Sequence, residues 1–91
     1  EKWGARGMTT AEVEAMTEAF IVAAQRAERA GYDGVELHAA HGYILAQFLS
    51  ADINRRDDRY GGSLANRQRL LLDIIHGIRQ RCGSNFMLGV R

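Results

Sequence analysis

Hydrophobic residues in the first third of the chain recur every three or four positions, the spacing of an amphipathic helix. The repeat consists of Val13, Met16, Phe20, Ala23, Ala24 and Ala27. Thr9 precedes it with Glu12 three residues later, which predicts a capping box at the helix start. Gly31 follows it and is suited to end a helix in a left-handed conformation. The pattern therefore predicts a helix of roughly 20 residues, preceded by a polar loop over residues 1–9.

Two segments, residues 33–38 and residues 86–91, alternate between apolar and polar side chains and are predicted to be strands. A long polar loop over residues 39–62 separates the first strand from a second helix. One apolar patch in this loop, residues 44–49, is expected to form a short helical turn. The second helix is expected to begin after the N-cap Ser63 and to end at Gly83. Its predicted buried stripe is Leu71, Ile74, Ile75, Ile78 and Cys82. Strands joined through a helix indicate an α/β fold with a parallel sheet.

Each predicted strand has an apolar face and a mixed face that ends in a polar residue. Val35 and Leu37 share the apolar face of the first strand, whereas His38 lies on the other face with Glu36. Arg91 ends the mixed face of the second strand. In parallel α/β folds the carboxyl ends of the strands build the active site. We therefore expect His38 and Arg91 at a functional edge.

Composition removes several classes of function. The 12 Lys and Arg residues are balanced by 11 Asp and Glu residues, which disfavours a nucleic-acid partner. No run of about 18 apolar residues occurs, so no membrane span is predicted. The single cysteine, Cys82, cannot form an internal disulfide and is compatible with a reducing, cytoplasmic location.

The densest chemistry follows the first strand, where His38, His41 and Tyr43 fall within six residues. Two imidazoles can donate hydrogen bonds to one oxygen, and a phenol can deliver a proton. The alternative is structural: the histidines satisfy backbone carbonyls and the tyrosine covers the core. A metal site is not predicted, because His76 and Cys82 both lie in the second helix and neither is a local third ligand.

Residues 54–63 (NRRDDRYGGS) alternate in charge. Acidic residues neutralise much of the basic charge, which argues against a nucleic-acid patch. The two glycines are too few for a dinucleotide-binding fingerprint. This segment is therefore predicted to be a loop stiffened by ion pairs.

Several of these motifs together resemble the old yellow enzyme family of FMN-dependent NADH:flavin oxidoreductases. They are residues 31–43 (GYDGVELHAAHGY), residues 47–50 (QFLS), residues 54–63 and the pair Asn66-Arg67. The resemblance implies a (β/α)₈ TIM barrel, of which residues 1–91 would be a partial domain truncated at both ends. That piece would run from about helix 3 through strand 4 and helix 4 to strand 5. Family members commonly have proline where this chain has Ala51, a difference that affects loop stiffness.

The resemblance also implies roles for four residues. His38 and His41 would bind the carbonyl or nitro oxygen of the substrate, and Tyr43 would protonate the carbon next to the carbonyl. Arg91 would lie beside the N1/O2 edge of the flavin. The implied cofactor is FMN, the reductant is NAD(P)H, and the substrate is a small enone or enal. A homo-oligomer is compatible with the resemblance.

Two alternatives stay open. One is an iron–sulfur flavoenzyme of the same family, of the dienoyl-CoA reductase or amine dehydrogenase type, with cluster cysteines beyond Arg91. The His-x-x-His spacing favours the ene-reductase type over the dienoyl-CoA reductase branch. The other is a non-catalytic αβαβ fragment that self-associates through exposed strand edges. Because such barrels need about 250 residues, the chain alone is expected to be inactive.

Overall fold

The fold is known from a computed structural model that describes residues 5–91. Its elements are, in order, α1 (Thr10–Arg29), β1 (Gly34–Leu37), α2 (Ile44–Leu49), α3 (Leu64–Arg67), α4 (Arg69–Arg81) and β2 (Met87–Val90). β1 and β2 pair in parallel, so the predicted α/β class with parallel strands is confirmed. Residues 5–9 have no regular secondary structure, as expected, and the remainder of the predicted N-terminal loop lies outside the described residues.

Both ends of α1 form as the sequence predicts. The Thr9 hydroxyl accepts a hydrogen bond from the Glu12 amide, and the Glu12 carboxylate accepts one from the Thr9 amide. At the other end Gly31 has φ +94°, and its N–H donates to the Glu28 carbonyl. Tyr32 N–H donates to the Ala27 carbonyl. These two bonds form a Schellman motif, which satisfies carbonyls that the end of a helix leaves free.

The buried face of α1 differs from the prediction by a small rotation. Ile21, absent from the predicted stripe, is buried, whereas Ala23 is exposed. The reason is α4, which crosses α1 at Gly77. A Cβ atom built on Gly77 would lie 2.1 Å from Ile21 Cδ1, so the missing side chain makes room for the isoleucine. Contact with α4 therefore decides which residues of α1 face the core.

The prediction of one continuous second helix was wrong, because the helix is interrupted at Gln68, between α3 and α4. Ser63 does cap the start, since its hydroxyl accepts the Asn66 N–H. Gly83 does not end the helix through a left-handed conformation. Instead Cys82 becomes extended, with φ −99° and ψ 161°, and the Glu28 carboxylate accepts the Gly83 N–H.

The buried stripe of α4 contains three of the five predicted residues, Ile74, Ile78 and Cys82. Leu70, Ile74, Gly77 and Ile78 are buried within the helix, and Cys82 is buried just after it. Leu71 and Ile75 are only partly buried and pack against the margin of the core. The core itself lies between α1, α4 and one face of the sheet, and its buried side chains are Val13, Ile21, Ala24, Leu37, Leu45, Phe48, Tyr60, Leu70, Ile74, Ile78, Cys82 and Phe86.

The sheet has the two faces that the sequence predicts. The strand register pairs Val35 with Leu88 and Glu36 with Gly89. Val35 and Leu88 pack against the core below the helices, whereas Glu36 is exposed on the opposite face. Hydrogen bonding continues past β2, because Arg91 N–H donates to the Leu37 carbonyl and the Arg91 carbonyl accepts from Ala39 N–H. None of the helices within residues 5–91 is both long and apolar enough to cross a membrane.

Candidate active site at the carboxyl end of the sheet

His38, His41 and Tyr43 come together where β1 ends, and we call them the strand-end cluster. The ring centroids of His38 and His41 are 5.1 Å apart, with an interplanar angle of 63°. The centroids of His38 and Tyr43 are 5.3 Å apart. His38 is partly buried, whereas His41 and Tyr43 are exposed. Two imidazoles and one phenol thus lie next to one another at the strand end.

The turn after β1 is left-handed at two consecutive residues. His41 has φ 61° and Gly42 has φ 75°. Glycine adopts this conformation freely, but a residue with a side chain gives up about 1–2 kcal/mol. His41 is the only non-glycine residue with positive φ among residues 5–91. Such strain is concentrated at functional sites, where the surrounding structure imposes it. The strain at His41 is therefore consistent with selection for the position of its imidazole.

Tyr43 lies at the junction between this turn and α2, where it is the N-cap residue. Its phenol is not held by a close-packed environment, since the residue is 63% exposed. Gln47, one turn further along α2, donates its side-chain amide to the Gly42 carbonyl at 2.8 Å. The Gln47 backbone N–H donates to the Tyr43 carbonyl, also at 2.8 Å. No motif in the sequence around Gln47 predicts the hydrogen bond from its side chain to the Gly42 carbonyl.

Arg91 reaches the same edge from the neighbouring strand. Its backbone hydrogen bonds to Leu37 and Ala39 flank His38, so Arg91 lies opposite His38 in the parallel ladder. Registered partners in a sheet are about 4.8 Å apart and point to the same face. Arg91 is exposed. The structure therefore brings all four predicted residues to one edge, three as a cluster of rings and Arg91 beside them through the sheet register.

Residues 54–63, which we call the ion-pair loop, contain the ion pairs that the sequence predicts. Arg56 donates to both carboxylate oxygens of Asp58, at 3.0 and 2.6 Å, and to the Met8 carbonyl at 2.7 Å. Thr10 Oγ1 and Tyr60 N–H also donate to Asp58. The Arg56 guanidinium holds the pKa of Asp58 well below its usual range, although partial burial opposes this shift. Asp58 is thus the acid that organises this loop and ties it to the start of α1.

A second set of side chains connects the ion-pair loop to the end of α2. The Asn54 amide donates to the carbonyls of Phe48 and Tyr60, at 2.7 and 2.8 Å. Arg67 donates to the Leu49 carbonyl at 3.0 Å. Tyr60 is 1% exposed and meets Phe48 edge to face. The loop is therefore a scaffold that holds α2, and α2 in turn follows directly from Tyr43.

No group of three His, Cys, Asp or Glu side chains within the described part of the chain is arranged to hold a metal ion. His76 is exposed on α4. Burial raises the pKa of the Cys82 thiol. Since the thiolate is both the metal ligand and the nucleophile, Cys82 has the properties of a core residue.

Comparison with known proteins gives consistent results. The family model described as NADH:flavin oxidoreductase / NADH oxidase matches residues 1–91. The NADH-dependent flavin oxidoreductase nadA of Aspergillus parasiticus is 49% identical over 86 residues, which cover 94% of this chain and 19% of that protein. Among solved structures, 2-naphthoyl-CoA reductase in complex with 2-naphthoyl-CoA has a TM-score of 0.92 at 45% identity, covering 94% of this chain and 13% of that one. Morphinone reductase in complex with tetrahydroNAD has a TM-score of 0.87 at 42% identity, covering 94% and 23%. The chain thus spans less than a quarter of each of these proteins.

Proposed function

Because the chain belongs to the NADH:flavin oxidoreductase / NADH oxidase family, we propose that it supplies the substrate-binding edge of an FMN-dependent oxidoreductase. The proposed reaction is the NAD(P)H-driven reduction of an activated C=C bond in an α,β-unsaturated carbonyl compound. The observation that supports this most directly is the convergence of the His41 and Tyr43 rings on His38, at 5.1 and 5.3 Å. Two hydrogen-bond donors beside one proton donor are what an enone requires.

His38 and His41 bind the carbonyl oxygen of the substrate in this proposal. Each neutral imidazole has one N–H to donate, and two such bonds stabilise the negative charge that develops on the oxygen as the double bond is reduced. His41 has a left-handed backbone conformation, and its ring lies 5.1 Å from that of His38. The imidazole pair thereby orients the substrate and makes its β-carbon electrophilic.

Tyr43 delivers the proton that completes the reduction. Its hydroxyl carries a proton that it can donate to the carbon next to the carbonyl. The high exposure of the ring lets a substrate approach the hydroxyl. Proton delivery by Tyr43 and oxygen binding by the histidines act on neighbouring atoms of the same substrate.

The residues present fit an FMN cofactor at this edge. Arg91 places a permanent positive charge beside His38, and a guanidinium suits the electron-rich N1/O2 edge of a flavin ring. FMN, when bound, supplies the hydride that it has received from the nicotinamide. Arg91 then stabilises negative charge on that side of the site, while the strand-end cluster positions the substrate.

The structural similarity to 2-naphthoyl-CoA reductase and morphinone reductase supports a barrel architecture for the intact protein. In this proposal β1 and β2 are strands 4 and 5 of a (β/α)₈ barrel, α1 is its helix 3, and α3 with α4 forms its helix 4. The exposed sheet face that carries Glu36 would then line the barrel interior. Residues 1–91 would be a partial domain of the enzyme.

A larger substrate is the second candidate. The structural likeness to a reductase solved with 2-naphthoyl-CoA favours an acyl-CoA thioester, whose carbonyl the two histidines could bind in the same way. An iron–sulfur flavoenzyme of the family is the corresponding architecture. The rate at which each substrate oxidises the reduced flavin, measured with a free enone and with the matching enoyl-CoA, separates the enone from the acyl-CoA candidate.

The decisive experiment is Tyr43→Phe in the intact protein, with Tyr32→Phe as the matched control. Tyr32 is exposed to a similar extent, 69% against 63%, but precedes β1 at the opposite end of the sheet. We expect Tyr43→Phe to slow oxidation of the reduced flavin by an enone about 10²-fold or more. Reduction of the flavin by NAD(P)H should be unchanged. Equal loss in both half-reactions, or the same loss in Tyr32→Phe, would exclude Tyr43 as the proton donor.

A further inference from the structure

The geometry points to Gln47 as a positioning residue that fixes the direction of the Tyr43 side chain. This inference rests on the proposed function, in which Tyr43 is the proton donor. Gln47 lies in the segment QFLS, and it acts on the backbone around Tyr43. Its two hydrogen bonds, each 2.8 Å long, end on the Gly42 and Tyr43 carbonyls.

These two carbonyls belong to the two peptide planes that meet at the Tyr43 Cα atom. Because each peptide unit is planar, fixing the first plane and the second plane sets φ and ψ of the residue between them. For Tyr43 these angles are −82° and −174°. Once both are set, the direction of the Cα–Cβ bond is set as well. One glutamine therefore determines where the phenol leaves the backbone.

Few other hydrogen bonds hold the backbone of Tyr43. Tyr43 has no side-chain cap bond, and its own N–H makes only a long bond of 3.4 Å to the Ala40 carbonyl. The two preceding residues are both left-handed, in a region where the backbone has no regular hydrogen-bond ladder. The ring itself is mostly exposed. Without the side-chain bond from Gln47, the peptide plane between Gly42 and Tyr43 can rotate.

The test is Gln47→Met in the intact flavoprotein, which keeps the length of the side chain and removes the donor. Gln80→Met on the exposed side of α4 is the matched control. We expect Gln47→Met to slow enone-driven flavin oxidation about tenfold or more, since small misplacements of reacting groups have effects of this size. Reduction by NAD(P)H and the flavin content should match the control. Oxidation at the rate of Gln80→Met would overturn the inference.

The double variant with Tyr43→Phe identifies the route of the effect. If Gln47 acts through the phenol, Gln47→Met has little further effect once the hydroxyl is gone. A full additional loss would show that Gln47 acts elsewhere and would overturn the inference. Normal oxidation in Tyr43→Phe alone would instead refute the proposed function, so the two failures are distinguishable.

Gln47→Glu provides a measurement that does not depend on how Gln47→Met folds. A protonated carboxyl group can donate to the Gly42 carbonyl, whereas a carboxylate cannot. The oxidation rate of Gln47→Glu relative to the parent should therefore rise as the pH falls from about 7 toward the carboxyl pKa, which is ordinarily about 4.3. A ratio that does not change with pH would contradict the role of the donor.

Discussion

Replacing Gly77 with alanine is expected to destabilise the contact between α1 and α4. A Cβ atom at this position would lie 2.1 Å from Ile21 Cδ1 and 2.8 Å from Ile21 Cγ1, whereas ordinary contact begins near 3.4 Å. Ile21 is only 5% exposed, so its side chain has little room to move away. Overpacking of this kind costs about 1–3 kcal/mol, and the better helix propensity of alanine offsets about 1 kcal/mol. We expect a net loss of up to about 2 kcal/mol.

The sign of this effect should reverse when Ile21 is also replaced by alanine. Ile21→Ala alone leaves a cavity and costs about 2–5 kcal/mol. In that background the new Cβ at Gly77 fills part of the cavity, so Gly77→Ala becomes neutral or stabilising by up to about 1 kcal/mol. The measurement is the thermal midpoint of the intact protein, which moves about 2–4 °C per kcal/mol in a domain of 150–250 residues. Gly7→Ala is the control, because nothing lies within 4 Å of its Cβ position. The same sign in both backgrounds would refute the packing described here.

Three other predictions concern Asp58 in the ion-pair loop, His41 in the turn after β1 and the N-cap Thr9. Asp58→Asn should lower the free energy of unfolding at pH 7. The pKa of Asp58 is lower in the folded protein than its unfolded value near 3.9, so the carboxylate stabilises the fold above pH 3.9 and this contribution disappears as the pH falls through the folded pKa. A loss of thermal midpoint that does not shrink in acid would contradict the ion pair with Arg56. His41→Ala and His41→Gly should both weaken binding of a phenolic ligand, whereas the control His76→Ala should not. Because φ of this residue is 61°, His41→Gly should be more stable than His41→Ala by up to about 1 kcal/mol. Equal stability of the two variants would argue against backbone strain at His41. Thr9→Ala should cost about 1 kcal/mol through loss of the cap, whereas Thr9→Ser, measured in the same thermal melts, should cost much less.

The sequence predicts most accurately what local chemistry decides. The capping box at Thr9, the left-handed Gly31 and the N-cap at Ser63 all depend on residues within four positions, and all three form. The strand-end cluster could also be predicted from neighbouring residues, because its three side chains lie within six residues of one another at the end of one strand. Arg91 is distant in the chain, but the two predicted strands pair so that it lies opposite His38. The resemblance to a known family assigned roles to these residues, which periodicity alone could not.

Tertiary contacts decide what the sequence pattern misses. Ile21 is buried in place of Ala23 because α4 presents a glycine at the crossing point. The break at Gln68 lies between Arg67 and Arg69, whose guanidinium groups reach back to the carbonyls of Leu49 and Arg59. Neither contact partner is close in sequence. The periodicity of apolar residues therefore predicts that helices form here, but not how each is rotated or where it is interrupted.

The position of the strand-end cluster depends on α2, an element too short to be stable alone. Helices of fewer than about 12–15 residues are marginal in water, and α2 has six. Its carboxyl end is held by Asn54 and Arg67, which bind the Phe48 and Leu49 carbonyls. Its amino end is held by Gln47, which binds the Gly42 carbonyl. We therefore expect the ion-pair loop to influence the strand-end cluster through α2, because the loop helps to keep α2 helical and so keeps Gln47 one turn from Tyr43. By this route a substitution in the loop should affect proton delivery more than flavin reduction.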